Sequence, residues 1–197
     1  MRKIVAVTFA SCSWLLSTGL AFAQSTPGFD LARVSFTSAR EYVAAEATPR
    51  QLAIPPNLIV LGEYRPLVES MLRYSPTFRR QCLRISGASS VTVYLRIGSP
   101  SWVSGVRAKT DITRDRLGTL SAFIEISPLH DNVELIAHEM EHVIEQLDGI
   151  DLASRAALRN TGVWATSSTP NVFETTRAKR VGIVVTNEFR EATRARL

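Results

Sequence analysis

The sequence predicts an α+β fold: a small, mostly antiparallel sheet packed on one amphipathic helix and on further helices. Three observations carry this prediction. Val91, Val93 and Leu95 alternate with Thr92, Tyr94 and Arg96, the period-two pattern of a half-buried strand. Leu120, Ala122, Ile124 and Ile126 share one face of a second alternating segment. Between Asp131 and Leu147 the period changes: Val133, Ile136, Ala137, Met140, Val143, Ile144 and Leu147 form a stripe with helical spacing.

The first residues stand apart from that domain. Arg2 and Lys3 precede an apolar stretch from Ile4 to about Leu20, and Ala21-Phe22-Ala23 supplies small residues before Gln24. This is the pattern of a signal peptide, residues 1–23, cleaved after Ala23. Ser11, Ser13, Ser17, Thr18 and Gly19 interrupt the stretch, so it makes a poor membrane span. Removing 23 of 197 residues leaves 174, residues 24–197, enough for one domain with a proper core. No second stretch is apolar enough to span a bilayer, so the expected location is periplasmic or secreted. Cys82 is then the only cysteine, which excludes an internal disulfide. The formal charge of +5 falls by two, to +3, when Arg2 and Lys3 leave. The arginines are scattered and not interleaved with aromatics, so nucleic acid is not an expected partner.

The remaining elements follow in order. Leu31 to Ala47 has helical spacing, and Pro49, Pro55 and Pro56 punctuate what comes next. Leu58 to Leu61 reads as a short strand. Leu67–Tyr74 and Thr77–Leu83 read as two short helices divided at Ser75-Pro76, with Pro76 at a first helical position. Val106–Thr113 is a candidate strand, Asp115–Gly118 a turn and Thr119–Ser127 the partner strand. Asp131 is an N-cap candidate, with Glu134 three residues on, and Asp148-Gly149 ends that helix. A short helix is expected near Leu152–Leu158, and a final helix over roughly Val172 to Ala195.

The chemistry lies in His138-Glu139-Met140-Glu141-His142, which reads H-E-x-x-H. Residues four apart stack on one helix face, so both imidazoles can aim at one zinc ion. Glu139 is turned about 100° from His138, a position suited to a general base acting on water. Catalytic zinc takes a third protein ligand and leaves one position open. Glu174, 32 residues after His142, is one candidate, although Asn171-x-x-Glu174 also matches a helix-capping pattern. Asp148 is the other. It stands six residues after His142, a spacing that resembles that of the ligand in the H-E-x-x-H-x-x-G-x-x-H/D class, but Glu145 occupies the position where that class has glycine. Glu141 and Glu145 share the helix with the histidines and read as supporting partners or solvated charges.

These residues resemble the zincin metallopeptidases, and the arrangement is similar to the gluzincin branch, of which thermolysin is the familiar member. The match covers about Thr119 to Arg180. The resemblance implies a zincin-like fold, Zn2+ held by His138, His142 and Glu174, and Glu139 as catalytic acid/base. It implies a peptide or protein substrate, and likens the strand Thr119–Ser127 to the edge along which such enzymes lay that substrate. The chain departs from the thermolysin pattern at Ala178, where that pattern has an aspartate behind a zinc histidine, and no second motif supplies a transition-state donor. The alternative is a non-catalytic zinc-binding envelope protein acting as a binding or assembly module. His130 reads as a surface or capping residue, Cys82 as a buried small residue, and Trp102 and Trp164 as partly buried loop residues.

Overall fold

The computed structural model describes residues 4–10, 52–98, 106–128, 132–166 and 172–195. The chain divides into two compact units, Met1–Ser11 with Ala47–Leu197, and Cys12–Glu46. Every described element belongs to the first. The expected helix at Leu31–Ala47, the cleavage site at Ala23, Trp102, His130 and the cap at Asp131 lie outside the described residues.

The fold is α+β. Its elements are β1 (Ile4–Ala10), β2 (Leu58–Val60), α1 (Arg65–Tyr74), α2 (Pro76–Ser86), β3 (Val91–Ile97), β4 (Val106–Arg114), β5 (Leu120–Ile126), α3 (Asn132–Leu147), α4 (Leu152–Ala156), β6 (Val163–Ala165), β7 (Phe173–Thr175) and α5 (Thr176–Arg194). Five strands form one sheet in the order β1-β4-β5-β3-β2, and β6 and β7 form a separate antiparallel pair.

The large sheet is mixed, which corrects the expectation of a mostly antiparallel one. β1 and β5 run antiparallel to β4, whereas β3 is parallel to both β5 and β2. The reason lies in the connections. β4 and β5 are joined by a tight turn in which Asp115 Oδ1 accepts the N–H groups of Leu117 and Thr119 and Gly118 takes φ +85°. Two helices separate β2 from β3, a crossover long enough to bring the second strand back parallel. β5 lies between β4 and β3. It is therefore interior to the sheet and cannot be the edge strand to which the zincin resemblance likens it.

One sheet face is apolar. Val91, Val93, Leu95, Ala108, Ile112, Leu120, Ala122, Ile124 and Ile126 are all buried in the same core as residues of the helices. α1 adds Val68, Met71 and Leu72, α2 adds Phe78 and Ile85, and α3 adds Ile136, Ala137, Met140 and Val143. The other face is polar and aromatic: Tyr94 stacks on Phe123 with ring centroids 4.8 Å apart, and Glu125 pairs with Arg96 and Lys109.

Two devices set the helices against each other. Ser75 caps α2 by accepting the N–H of Phe78, with Pro76 in the first turn, as its sequence predicts. Glu188 on α5 then accepts hydrogen bonds from Ser75 Oγ, Thr77 N and Thr77 Oγ1. At the α3–α5 contact, Ala178 and Gly182 stand one turn apart and both are buried. A Cβ on Gly182 would lie 3.0 Å from the Glu134 carbonyl oxygen and 3.4 Å from His138 Cβ. A side chain at 182 would crowd that backbone, so glycine suits the close approach of α5 to the motif helix.

Candidate metal centre

His138 and His142 project from the middle of α3 and are buried to 3% and 0% exposure. Glu174 joins them from β7, not from a helix. The final helix begins at Thr176, capped by Thr175 Oγ1, which accepts the N–H of Ala178. The capping role thus belongs to Thr175, and the extended backbone of β7 turns Glu174 toward α3.

The three side chains converge. His138 Nε2 and His142 Nε2 are 3.1 Å apart, and Glu174 Oε1 stands 3.2 Å from the first and 3.6 Å from the second. Ligand atoms about 2.1 Å from a tetrahedral metal are about 3.4 Å from one another, so these separations bracket the spacing a tetrahedral ion requires. The donor set fits a divalent transition metal, with a fourth position left for water.

Asp148 is not part of the cluster. Its carboxylate is held outside by Arg177 at 2.8 Å and Arg84 at 3.2 Å. Glu141 also turns away from the histidines, accepting from Gln81 Nε2 and Arg177 Nε. Glu145 turns toward them: its Oε2 lies 2.9 Å from His142 Nδ1, and its Oε1 accepts from Thr175 Oγ1 at 2.7 Å. An imidazole that donates Nδ1–H to Glu145 presents the Nε2 lone pair to the cluster, the tautomer a metal needs. Glu145 thus buttresses His142 from the motif helix itself.

Charges respond to this crowding. Burial lowers the pKa of His142, but hydrogen bonds to Glu145 and Glu174 and the nearby Glu139 charge outweigh it and lift it to about 10. Burial raises the pKa of Glu174, and its bonds to the two histidines more than reverse this, holding it at about 2. Glu139 is fully buried, and its pKa is raised chiefly by that burial, against the pull of both histidines and Thr110. Its Oε2 accepts from Thr110 Oγ1 at 2.6 Å, while Oε1 is buried with no hydrogen-bond partner.

Thr110, Thr175 and Gln81 are the site residues that sequence reasoning missed. Thr110 carries a signal: it is the one hydroxyl in the row Ala108-x-Thr110-x-Ile112, which otherwise faces the core. Thr175 and Gln81 carry none, because their partners depend on packing between distant elements. Cys82 is buried and its thiol is pushed up to about 12 by that burial, which leaves it no nucleophilic role. Trp164 lies on β6, and Lys179 Nζ sits 4.6 Å from its ring centroid. In comparisons with protein families, with characterised proteins and with solved structures, the chain matches none.

Proposed function

We propose that this chain is an exported, zinc-dependent metallopeptidase, a small zincin of gluzincin type. One observation carries the reading: His138, His142 and Glu174 bring their ligand atoms within 4.8 Å of one another, beside a buried glutamate with one unpartnered oxygen. His138, His142 and Glu174 hold the ion, and Glu145 orients His142. Zinc held there would supply a Lewis acid for the scissile carbonyl and would bring the pKa of a water down to about 7. Glu139 Oε1 is placed to accept a proton from the attacking water and to deliver it to the leaving amine. Three protein ligands with one open position suit catalysis better than a structural role, for which four are usual.

The proposed export rests on Arg2, Lys3 and the apolar segment ending in Ala21-Phe22-Ala23. No helix among the described residues is long and apolar enough to cross a membrane. In the whole chain β1 pairs with the outer edge of β4, with Val7 opposite Thr110. Cleavage after Ala23 removes β1 and leaves β4 as the free edge of the sheet beside Glu139. β4 therefore takes the peptide-binding role that the resemblance assigns to β5.

The test is Glu139→Gln. The variant is expected to bind zinc stoichiometrically, as the parent does, and to lose peptide hydrolysis by at least about a hundredfold. Parental turnover in the variant would refute the mechanism. Stoichiometric zinc without turnover in the parent, across a broad peptide screen, would refute the peptidase reading in favour of a zinc-binding module.

A further inference from the structure

Thr110 lies in the middle of β4 and is fully buried against α3. A hydroxyl in such a row has no water to satisfy it, and its partner is the glutamate of the motif. Thr110 Oγ1 donates to Glu139 Oε2 at 2.6 Å, a length typical of a hydroxyl bound to a carboxylate. The other oxygen, Oε1, is equally buried and has no partner. One residue on a neighbouring strand thus makes the two oxygens of Glu139 unequal.

The terminal torsion of a glutamate is broad and roughly two-fold, so the side chain itself does not fix the carboxylate plane. The β-branched threonine, stiff at χ1 and seated in a strand, does. We infer that Thr110 is a positioning residue: it anchors Oε2, sets the plane of the Glu139 carboxylate, and reserves Oε1 for the proton of the attacking water. The consequence for rate rests on the peptidase reading above. The anchoring itself is a statement about side-chain geometry and stands or falls separately.

The experiment compares Thr110→Val, which keeps shape but removes the hydroxyl, with Thr110→Ser, which keeps the hydroxyl. Each is expressed from the full chain, cleaved after Ala23 so that the β4 edge is free, and loaded with zinc. Zinc content, kcat and KM on a peptide substrate, and the crystallographic orientation of Glu139 are measured. Both variants are expected to hold zinc stoichiometrically with unchanged KM. Thr110→Val should lower kcat about ten- to a hundredfold, whereas Thr110→Ser should stay within about threefold of the parent. The Glu139 carboxylate should rotate or spread over several orientations in Thr110→Val and keep its plane in Thr110→Ser.

A Thr110→Val protein with parental kcat and an unmoved Glu139 overturns the inference. If the parent itself turns over no peptide, the peptidase reading fails and the crystallographic comparison alone decides: an unmoved carboxylate in Thr110→Val refutes the anchoring. Should Thr110→Val not fold, Thr110→Ala against Thr110→Ser makes the same comparison, since those two differ only in the hydroxyl. Equal rates and equal Glu139 orientations in that pair overturn it.

Discussion

Glu174→Gln separates the two candidate third ligands and puts a magnitude on the site. The change keeps the volume of the side chain and leaves a carbonyl oxygen able to accept the Thr175 N–H, which Glu174 Oε1 now accepts at 2.7 Å. It removes the charge that faces both Nε2 atoms at 3.2 and 3.6 Å. Structural zinc sites bind with about 10–16 kcal/mol over four ligands, so an anionic ligand contributes about 3 kcal/mol, or roughly two decades in dissociation constant. Zinc affinity is expected to fall about a hundredfold, read by competition against a chromogenic chelator. Asp148→Asn serves as the control. Its carboxylate is engaged by Arg177 and Arg84, so zinc affinity should stay at the parental value. Parental affinity in Glu174→Gln, or a loss confined to Asp148→Asn, would refute the assignment of the third ligand.

Two further outcomes follow from the packing and the charges. Gly182→Val sets a branched side chain against the Glu134 carbonyl and His138, and should lower unfolding free energy by about 2–3 kcal/mol, measured in denaturant; an unchanged midpoint would mean that α5 does not lie this close to α3. For the metal-free protein, the sign of the pH dependence is set by three groups of the site. The raised pKa of His142 contributes stability in full below 6.5, lost as pH climbs toward 10, and the depressed pKa of Glu174 contributes stability above 4.5, lost as pH falls toward 2. Glu139, whose pKa burial raises, costs stability as pH rises above 4.5. Stability of the metal-free form should therefore be highest near pH 4.5 and decline through neutral pH, and zinc should lessen the alkaline part of that decline because neutral imidazole is the ligand form. Denaturant midpoints that stay flat from pH 6.5 to 9 in chelator would contradict the assigned His142 shift.

Local pattern made much of this molecule readable. The alternation at Val91–Leu95 and Leu120–Ile126 marks β3 and β5, the stripe from Val133 to Leu147 marks α3, and Ser75-Pro76 marks the break between α1 and α2. Each is a short-range rule, and each works because one face of the element is buried. Strand direction is not of that kind. That β3 runs parallel to β5 depends on the chain passing beyond β5 to lay down β4 first, and no residue in either strand records it. The same distinction divides the site. The histidines are legible because four-residue spacing on a helix is itself the geometry. Glu174 can be proposed but not placed from sequence, since Phe173–Thr175 is too short for a period to show beside the helical spacing that follows. Thr110 hides for a further reason: a threonine in a strand is ordinary until the apolar row around it and the glutamate beneath it are both known.

Charge balance gives a reason, independent of any motif, for this cluster to hold a dication. Buried carboxylates are tolerated where cations or donors compensate them, and the four buried glutamates of α3 and β7 are compensated unequally. Glu141 has the Arg177 guanidinium and the Gln81 amide. Glu139, Glu145 and Glu174 meet no guanidinium or ammonium among the described residues; their partners are two imidazoles, two threonine hydroxyls and one backbone N–H. Without a metal, protons must supply the compensation, and the shifts point that way: His142 is held charged well above its ordinary range, and Glu139 is pushed toward its neutral form. Protons there are a poor substitute for a metal. They turn His142 from a ligand into a donor, and a proton on Glu139 removes the base. A divalent ion held by His138, His142 and Glu174 would compensate the same carboxylates while leaving both imidazoles neutral and Glu139 free to ionise. The features that make the metal-free arrangement costly are thus the ones that favour a dication there, which supports the proposed function.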